Sequence, residues 1–242
     1  MIVIHIFGRS NTGKTTLIEA LCRQLAPRGR TETIKHIGHH PITLEEGKDT
    51  TIHFRAGASG STGIDDEKSV TITSHTGLTA ALNTSSDRGV EFCIVEGYKS
   101  VPLPGVALGD VEGEHILMRD PEIGEILSRL DEFPRWTTPK AIINSLLRDR
   151  EGGDIGGIIL LQDVAGMDLE RAASAASTLP EIKAARGELL LSGCSTPPDN
   201  RKGCLAVVGR SAISVAYALY QGSKELERDP HQEDFNQGKS EE

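Results

Sequence analysis

The sequence has few cysteines, and they are not arranged as a site. Four occur among the 242 residues, and no two of them form a C-x-x-C pair. Paired spacings of that kind mark zinc sites, and dense cysteine patterns mark small disulfide-linked folds. The scattered pattern indicates neither, so we expect the thiols to act as small buried apolar groups. The four residues are Cys22, Cys93, Cys194 and Cys204.

Aromatic residues and positive charge are also scarce. Aromatic side chains make up 4% of the chain, and its formal net charge is −9. A nucleic-acid surface needs clustered Lys and Arg, and single strands also need aromatic platforms for the bases. No basic run occurs in this sequence. We therefore expect no nucleic-acid partner.

Long apolar runs are missing. The first run is interrupted by Gly8, so it is shorter than the apolar core of a signal peptide, and no basic residue leads it. No other run approaches the ~20 residues that a membrane helix needs. A hydrophobic fraction of 37% still supports a real core. We expect a soluble cytoplasmic protein with no membrane contact, built as one large domain or two small ones.

The most informative feature that is present is a phosphate-binding loop. Residues 8–15 read G-R-S-N-T-G-K-T, a full match to G-x-x-x-x-G-K-[ST]. A chance match in a chain of this length is about a one-in-a-hundred event. In such a loop the backbone N–H groups and a lysine hold the phosphates of a nucleotide, and the Ser/Thr hydroxyl binds Mg²⁺. The predicted contacts are Gly8, Asn11, Thr12, Gly13, Lys14, Thr15 and Thr16.

The residues around the loop have the required context. The apolar run of residues 2–7 predicts a buried strand, and residues 15–26 have apolar positions at helical spacing. A helix that starts at the loop directs the positive end of its dipole at the phosphates. A Gly-rich turn that binds nothing is the alternative interpretation.

The pattern that follows predicts an α/β fold. We expect strands at 31–36, 69–73, 90–95 and 115–118 and a helix at 78–82, with 37–67 as a long functional loop holding one short helix at 53–58. Strands that alternate with helices indicate a three-layer, mostly parallel sheet, as in P-loop NTPases. This unit is predicted to span residues 1–130.

A second unit is predicted after a linker at 131–138. In residues 139–228 we expect helices at 139–148, 169–178 and 212–226 and strands at 155–161, 188–191 and 205–208, which together make a smaller α+β domain. Residues 229–242 are polar and acidic, and we expect them to be disordered.

Two carboxylates are candidates for the metal and for catalysis. Glu96 directly follows a predicted buried strand, where a carboxylate can hold Mg²⁺ or orient an attacking water. Asp49 lies in G-K-D-T within the long loop, where a residue that senses the γ-phosphate could be placed. With Lys14 they form the predicted catalytic set, and with Thr15 the predicted metal set. A solvent-facing Glu and an ordinary polar turn remain the alternatives.

Half of the eight histidines lie close together, at His36, His39, His40 and His53. The H-x-x-H spacing within them is short enough for one transition-metal ion. They are equally compatible with a polar loop beside an anionic ligand, and the sequence leaves the choice open.

Three segments in order resemble the molybdopterin-guanine dinucleotide biosynthesis protein B (MobB) family over about residues 1–120. They are the phosphate loop, then K-H-x-x-H at 35–39 with G-K-D-T at 47–50 and R-A-G-A at 55–58, then V-E-G-Y-K at 95–99. The resemblance implies a GTP-binding protein with weak GTPase activity. It also implies a MobA-like nucleotidyltransferase as partner, which joins GMP to molybdopterin.

The same resemblance suggests further binding residues. Lys35, His36 and Arg55 carry over as motif residues, and Lys99 ends the last motif. The cationic side chains of Lys35, Arg55 and Lys99 suit an anionic nucleotide, molybdopterin or its guanine dinucleotide. The chain has no N-K-x-D motif, so the guanine preference is implied by the family alone.

The second unit resembles, more faintly, the large subunit of molybdopterin synthase (MoaE). The expected H-R pair before the last helix is missing, and Lys224 and Arg228 are the basic residues left near its end. We therefore expect a degenerate domain that binds a partner or serves the structure.

Other functions remain compatible with the residues. They are a P-loop small-molecule kinase, a metallochaperone GTPase that uses the histidines, and a scaffold with an inactive loop. A homodimer is also compatible, because the long loop could pack against a second copy.

Overall fold

The computed structural model describes residues 1–38, 42–74, 77–148, 152–190 and 202–227. In this part of the chain the strands are β1 Ile2–Gly8, β2 Thr31–Lys35, β3 Gly60–Ile64, β4 Ser69–Thr73, β5 Phe92–Glu96, β6 Gly105–Leu108, β7 Ile116–Arg119, β8 Ile155–Gln162, β9 Ile182–Leu190 and β10 Lys202–Gly209. The helices are α1 Lys14–Leu25, α2 Asp49–Arg55, α3 Leu78–Asp87, α4 Ile123–Ser128, α5 Pro139–Leu147, α6 Gly166–Ser177 and α7 Ala212–Glu227. A short 3₁₀ turn follows α4 at Leu130–Glu132.

The first unit is built on a five-stranded sheet in the order β2-β5-β1-β6-β7, and every pairing is parallel. The three strands with the longest buried runs, β1, β6 and β5, lie inside the sheet, as expected for strands covered on both faces. The predicted parallel α/β fold is confirmed. Strand β6 was not predicted, because its four residues follow a Pro-rich segment. It approaches β1 so closely that a Cβ on Gly105 would lie 2.3 Å from the carbonyl oxygen of His5.

Helices cover both faces of this sheet. On one face α1 and α4 contribute Leu21, Leu25 and Ile126 to a core with Ile4 and Ile6 of β1. On the other face α3 packs on a second core, which contains Val3, Leu82, Cys93, Val95 and Trp136. The alternation of side chains along β1 therefore divides the apolar residues between two cores, which gives the three layers.

The segment predicted as a long loop contains more regular structure than expected. Helix α2 begins at Asp49, four residues before the predicted short helix, and strands β3 and β4 form an antiparallel hairpin. The prediction of a helix at 53–58 was therefore wrong in its bounds. An acidic residue in the first turn favours the start at Asp49, and Gly57, with φ 108°, follows the end.

The segment predicted as a linker is packed against the first sheet. Phe133 and Trp136 are 2% and 1% exposed. The Trp136 indole N–H donates to the Asn83 side chain at 2.9 Å, and the Trp136 main-chain N–H donates to the Met1 carbonyl at 2.7 Å. Two large apolar side chains bury far more area inside the core than a linker would. The division of the chain into domains stays a prediction.

The second unit has an antiparallel sheet in the order β8-β10-β9. Central strand β10 is buried along nearly all of its length, with α6 and α7 packed over one face and α5 over the other. Strand β9 begins earlier than predicted, because the small residues Ala184 and Ala185 weaken its apolar signal, and helix α6 also begins earlier, at Gly166. Residues 229–242 and Cys194 lie outside the described residues. In the described part of the chain, no helix combines the length and apolarity needed to cross a membrane.

Candidate functional site

The phosphate loop connects the buried strand β1 to helix α1. Asn11 and Gly13 have φ values of 63° and 83°, so the loop turns through the left-handed region at two points. Gly13 precedes Lys14, the first residue of α1, as its N-cap. The turn aims the N-terminus of the helix, with its free N–H groups, into the bend.

Three contacts hold the loop in this form. The Lys14 ammonium donates to the carbonyl oxygens of Gly8, at 3.4 Å, and Arg9. The Thr12 hydroxyl donates to the Arg9 carbonyl at 2.9 Å. A Cβ on Gly8 would lie 2.5 Å from the Leu108 carbonyl oxygen, so β6 leaves no room for a side chain there. The Lys14 ammonium is thus held over the concave side of the loop, where a phosphate binds in this motif.

The carboxyl ends of β2 and β5 form a second wall, opposite the loop. The Lys35 ammonium lies 3.2 Å from a carboxylate oxygen of Glu96. The main-chain N–H of His36 donates to the Glu96 carbonyl at 2.9 Å, and the His36 ring stacks on Tyr98 with centroids 4.4 Å apart. Adjacent parallel strands end at the same edge of the sheet, which is the usual position of a ligand site in open α/β folds.

The loop and this wall enclose a cavity of about 620 Å³. It brings together the predicted Asn11, Gly13, Lys14, Thr15, Thr16, Lys35, His36 and Glu96. Gly8 and Thr12 do not line the cavity, and their contacts shape the loop. Ser10, Ile37 and Gly38 line it but were not predicted. They occupy unspecified positions of the motifs, so only the fold brings them there.

Three predicted residues lie elsewhere in the structure. Asp49 is exposed in the first turn of α2, and Arg55, at its end, lies 3.4 Å from Glu46. Lys99 is exposed in the turn after β5. The residues that line the cavity do not include these three. Their roles in phosphate or metal binding stay predictions.

The cavity contains oxygen ligands that fit magnesium. The hydroxyl of Thr15 and the carboxylate of Glu96 both line it, and Mg²⁺ prefers oxygen ligands. The Glu96 side chain is 14% exposed, so its charge lies in a partly desolvated environment where it interacts more strongly with cations. These residues would hold Mg²⁺ next to a bound phosphate.

The histidine cluster is described only in part. His36 lines the cavity and His53 lies on α2, whereas His39 and His40 are outside the described residues. Within the ranges that the structure covers, no three His, Cys, Asp or Glu side chains are grouped as metal ligands. A transition-metal site that uses His39 and His40 stays a prediction.

Comparisons with known proteins give a consistent result for the first unit. A family model described as molybdopterin guanine dinucleotide synthesis protein B matches residues 3–128. The molybdopterin-guanine dinucleotide biosynthesis adapter protein of Haemophilus influenzae is 32% identical over 136 residues, which is 54% of this chain and 70% of that protein. The probable adapter protein of the same name from Bacillus subtilis is 32% identical over 117 residues, 44% of this chain and 64% of that protein.

A third relative and one solved structure are also similar to this chain. A putative adapter protein of the same name from Methanocaldococcus jannaschii is 33% identical over 99 residues, 41% of this chain and 42% of that protein. The matched part thus spans less than two thirds of the Bacillus and Methanocaldococcus relatives. The crystal structure of Bacillus subtilis MobB has a TM-score of 0.44 at 21% identity, and it covers 55% of this chain and 99% of that one.

Proposed function

The chain belongs to the molybdopterin guanine dinucleotide synthesis protein B (MobB) family, and we propose that it is a GTP-binding adapter protein of molybdenum-cofactor biosynthesis. In this role it would assist the attachment of GMP to molybdopterin. The observation that carries the proposal is the cavity in which the phosphate loop faces Lys35 and Glu96. Its residues come from the motifs that mark the family resemblance.

The residues of the cavity suit a nucleoside triphosphate with Mg²⁺. The N–H groups of the loop and the Lys14 ammonium would neutralise the phosphates, and Thr15 and Glu96 would hold the metal. When bound, Mg²⁺ stabilises the charge that develops on the phosphate oxygens. Glu96 would also orient a water for attack.

Hydrolysis is proposed to be weak. Fast phosphate hydrolysis uses an arginine that stabilises the transition state and a Gln that orients the water. The residues that line the described cavity include neither Arg nor Gln. An adapter that holds GTP for a partner enzyme, here a MobA-like nucleotidyltransferase that also handles molybdopterin, needs binding more than turnover.

A second copy of the chain is proposed to cover the β3–β4 hairpin. Gly63 faces α2, since a Cβ there would lie 3.1 Å from the Thr50 methyl group, so Thr62 and Ile64 face away from that helix. Ile64 is 81% exposed, and nothing in the described chain covers this face. A two-stranded sheet is marginal by itself. This face carries no charge, so two copies can meet without repulsion.

The proposed function is tested by calorimetry with GTP, GDP and ATP in the presence of Mg²⁺. We expect GTP to bind, and Lys14→Ala to weaken binding by about 1.5–3 kcal/mol, which is the range for a hydrogen bond to a charged group. Lys68→Ala is the matched control, because Lys68 lies in the hairpin turn and pairs with Asp65 at 3.3 Å. Failure of the wild type to bind GTP would contradict the proposal.

A further inference from the structure

His5 is a polar residue in the buried strand β1. The run Ile2–Gly8 is otherwise apolar, and the His5 side chain is 1% exposed. Alternation along β1 places it on the same face as Val3, between the sheet and the layer that contains α3. An imidazole at such a position is costly unless its nitrogens are hydrogen-bonded.

Both ring nitrogens have a partner. Nδ1 lies 2.8 Å from the carbonyl oxygen of Leu103, and Nε2 lies 2.7 Å from the carbonyl oxygen of Gly97. The ring thus lies between the two carbonyl groups, within hydrogen-bond distance of each.

One of these bonds fixes a strained bend. Gly97 and Tyr98 have φ values of 94° and 48°, and a positive φ is unfavourable for a residue with a side chain such as Tyr98. The main-chain N–H of Gly97 donates to the Ile6 carbonyl at 3.0 Å, and its carbonyl accepts from His5. Strand β1 therefore holds the peptide groups on both sides of Gly97. Its two contacts fix the orientation of the strained peptide between Gly97 and Tyr98.

The bend lies directly beside the candidate nucleotide site. Glu96 precedes Gly97 and lines the cavity, while Tyr98 stacks on His36, which also lines it. The second acceptor, Leu103, lies at the other end of the connection from β5 to β6. The buried His5 ring therefore contacts both ends of the segment 97–103, which follows Glu96.

We propose that His5 is a positioning residue for Glu96 and, through it, for Mg²⁺ at the phosphate loop. The inference rests on the proposed nucleotide-binding function. His5 touches neither nucleotide nor metal in this scheme. Its contact with the Gly97 carbonyl holds the Glu96–Gly97–Tyr98 bend, and the bend sets where the carboxylate points.

The test compares GTP affinity with Mg²⁺ and with EDTA in the wild type and in His5→Phe, which keeps a ring of similar shape without donors. We expect the gain in affinity from Mg²⁺ to fall about tenfold, the effect of losing one hydrogen bond, with affinity in EDTA within about twofold. In a Glu96→Gln background, His5→Phe should have no further effect on that gain. Val3→Ala is the control, because it removes packing on the same strand face without touching the bend.

Two outcomes would overturn the inference. One is a His5→Phe variant whose GTP affinity rises with Mg²⁺ as much as that of the wild type. The other is found in the wild type alone, by ¹⁵N NMR of the histidine rings, where an Nε2 without a hydrogen would contradict donation to the Gly97 carbonyl. If His5→Phe does not fold, His5→Leu replaces it in both the titration and the assignment of the ring signals. Failure of the wild type to bind GTP at all would instead refute the proposed function.

Discussion

Two cysteines show at the scale of the residue how burial determines chemistry. Cys93 and Cys204 are fully buried, in the first and second units respectively. Burial raises the pKa of the Cys93 thiol to about 12 and that of Cys204 to about 11, in each case helped by a nearby carboxylate, Glu32 or Glu188. Thiols of this kind stay protonated at neutral pH, so they are poor nucleophiles and poor metal ligands.

The raised pKa values predict a loss of stability in alkaline solution. Above the ordinary pKa of 9.0 the unfolded thiols release protons that the folded thiols keep, so the free energy of unfolding falls as pH rises towards the folded pKa values. The slope is about 1.4 kcal/mol per pH unit for each thiol. Urea unfolding between pH 8 and 10.5 measures it, and Cys93→Ala and Cys204→Ala should each make the fall shallower. Cys22→Ala, at a half-buried site, should change it less, and equal slopes in all variants would contradict the assignment.

At the scale of the element, strand β3 and helix α2 were the least predictable part of the first unit, whereas β4 lies at residues 69–73 as predicted. Only Thr51 is buried in α2, and the single large apolar residue of β3, Ile64, is exposed. Such segments have little hydrophobic periodicity, which is the main signal that a sequence gives for regular structure. The first and last residues of these elements therefore depend on local capping and on the contacts between α2 and the hairpin.

The proposed binding of a second copy at this hairpin can be tested by introducing a charged residue there. Ile64→Glu should convert a dimer to a monomer, because a carboxylate placed between the two copies would lose its hydration. Ile213→Glu is the matched control, since Ile213 is 83% exposed on α7 of the second unit. Analytical ultracentrifugation of both variants and the wild type measures whether each is a dimer or a monomer. A monomeric wild type, or a dimer that survives Ile64→Glu, would contradict the proposal.

At the scale of the whole molecule, the segment between the two units belongs to the packed structure. Thr138 caps α5 by accepting from the Ala141 N–H at 3.0 Å, and its hydroxyl also donates to Asp87 at the end of α3. Lys140 lies 3.7 Å from the same carboxylate. Helix α5 of the second unit is thereby joined to α3 of the first.

This packing predicts a large effect of Trp136. Trp136→Ala should lower the free energy of unfolding by about 3–5 kcal/mol, as expected for a large buried aromatic residue, whereas a linker residue would cost almost nothing. Trp136→Phe keeps most of the packing and loses the bond to Asn83, so its effect should be smaller. Because the chain has one Trp, unfolding in urea is followed by circular dichroism. A loss below about 1 kcal/mol for Trp136→Ala would contradict the observed packing.

The sequence by itself determined the phosphate loop, the parallel α/β class, the family and the position of Glu96 at a strand end. These features are local: a motif needs its residues at fixed spacing, and a buried strand needs a continuous apolar run. Only the tertiary structure decided which side chains meet. It brought Lys35 to Glu96, left Asp49 and Arg55 on α2, and placed His5 beneath the bend at Gly97. Contacts between residues 60 to 100 positions apart depend on strand order and register, and a single sequence carries no local signal for either.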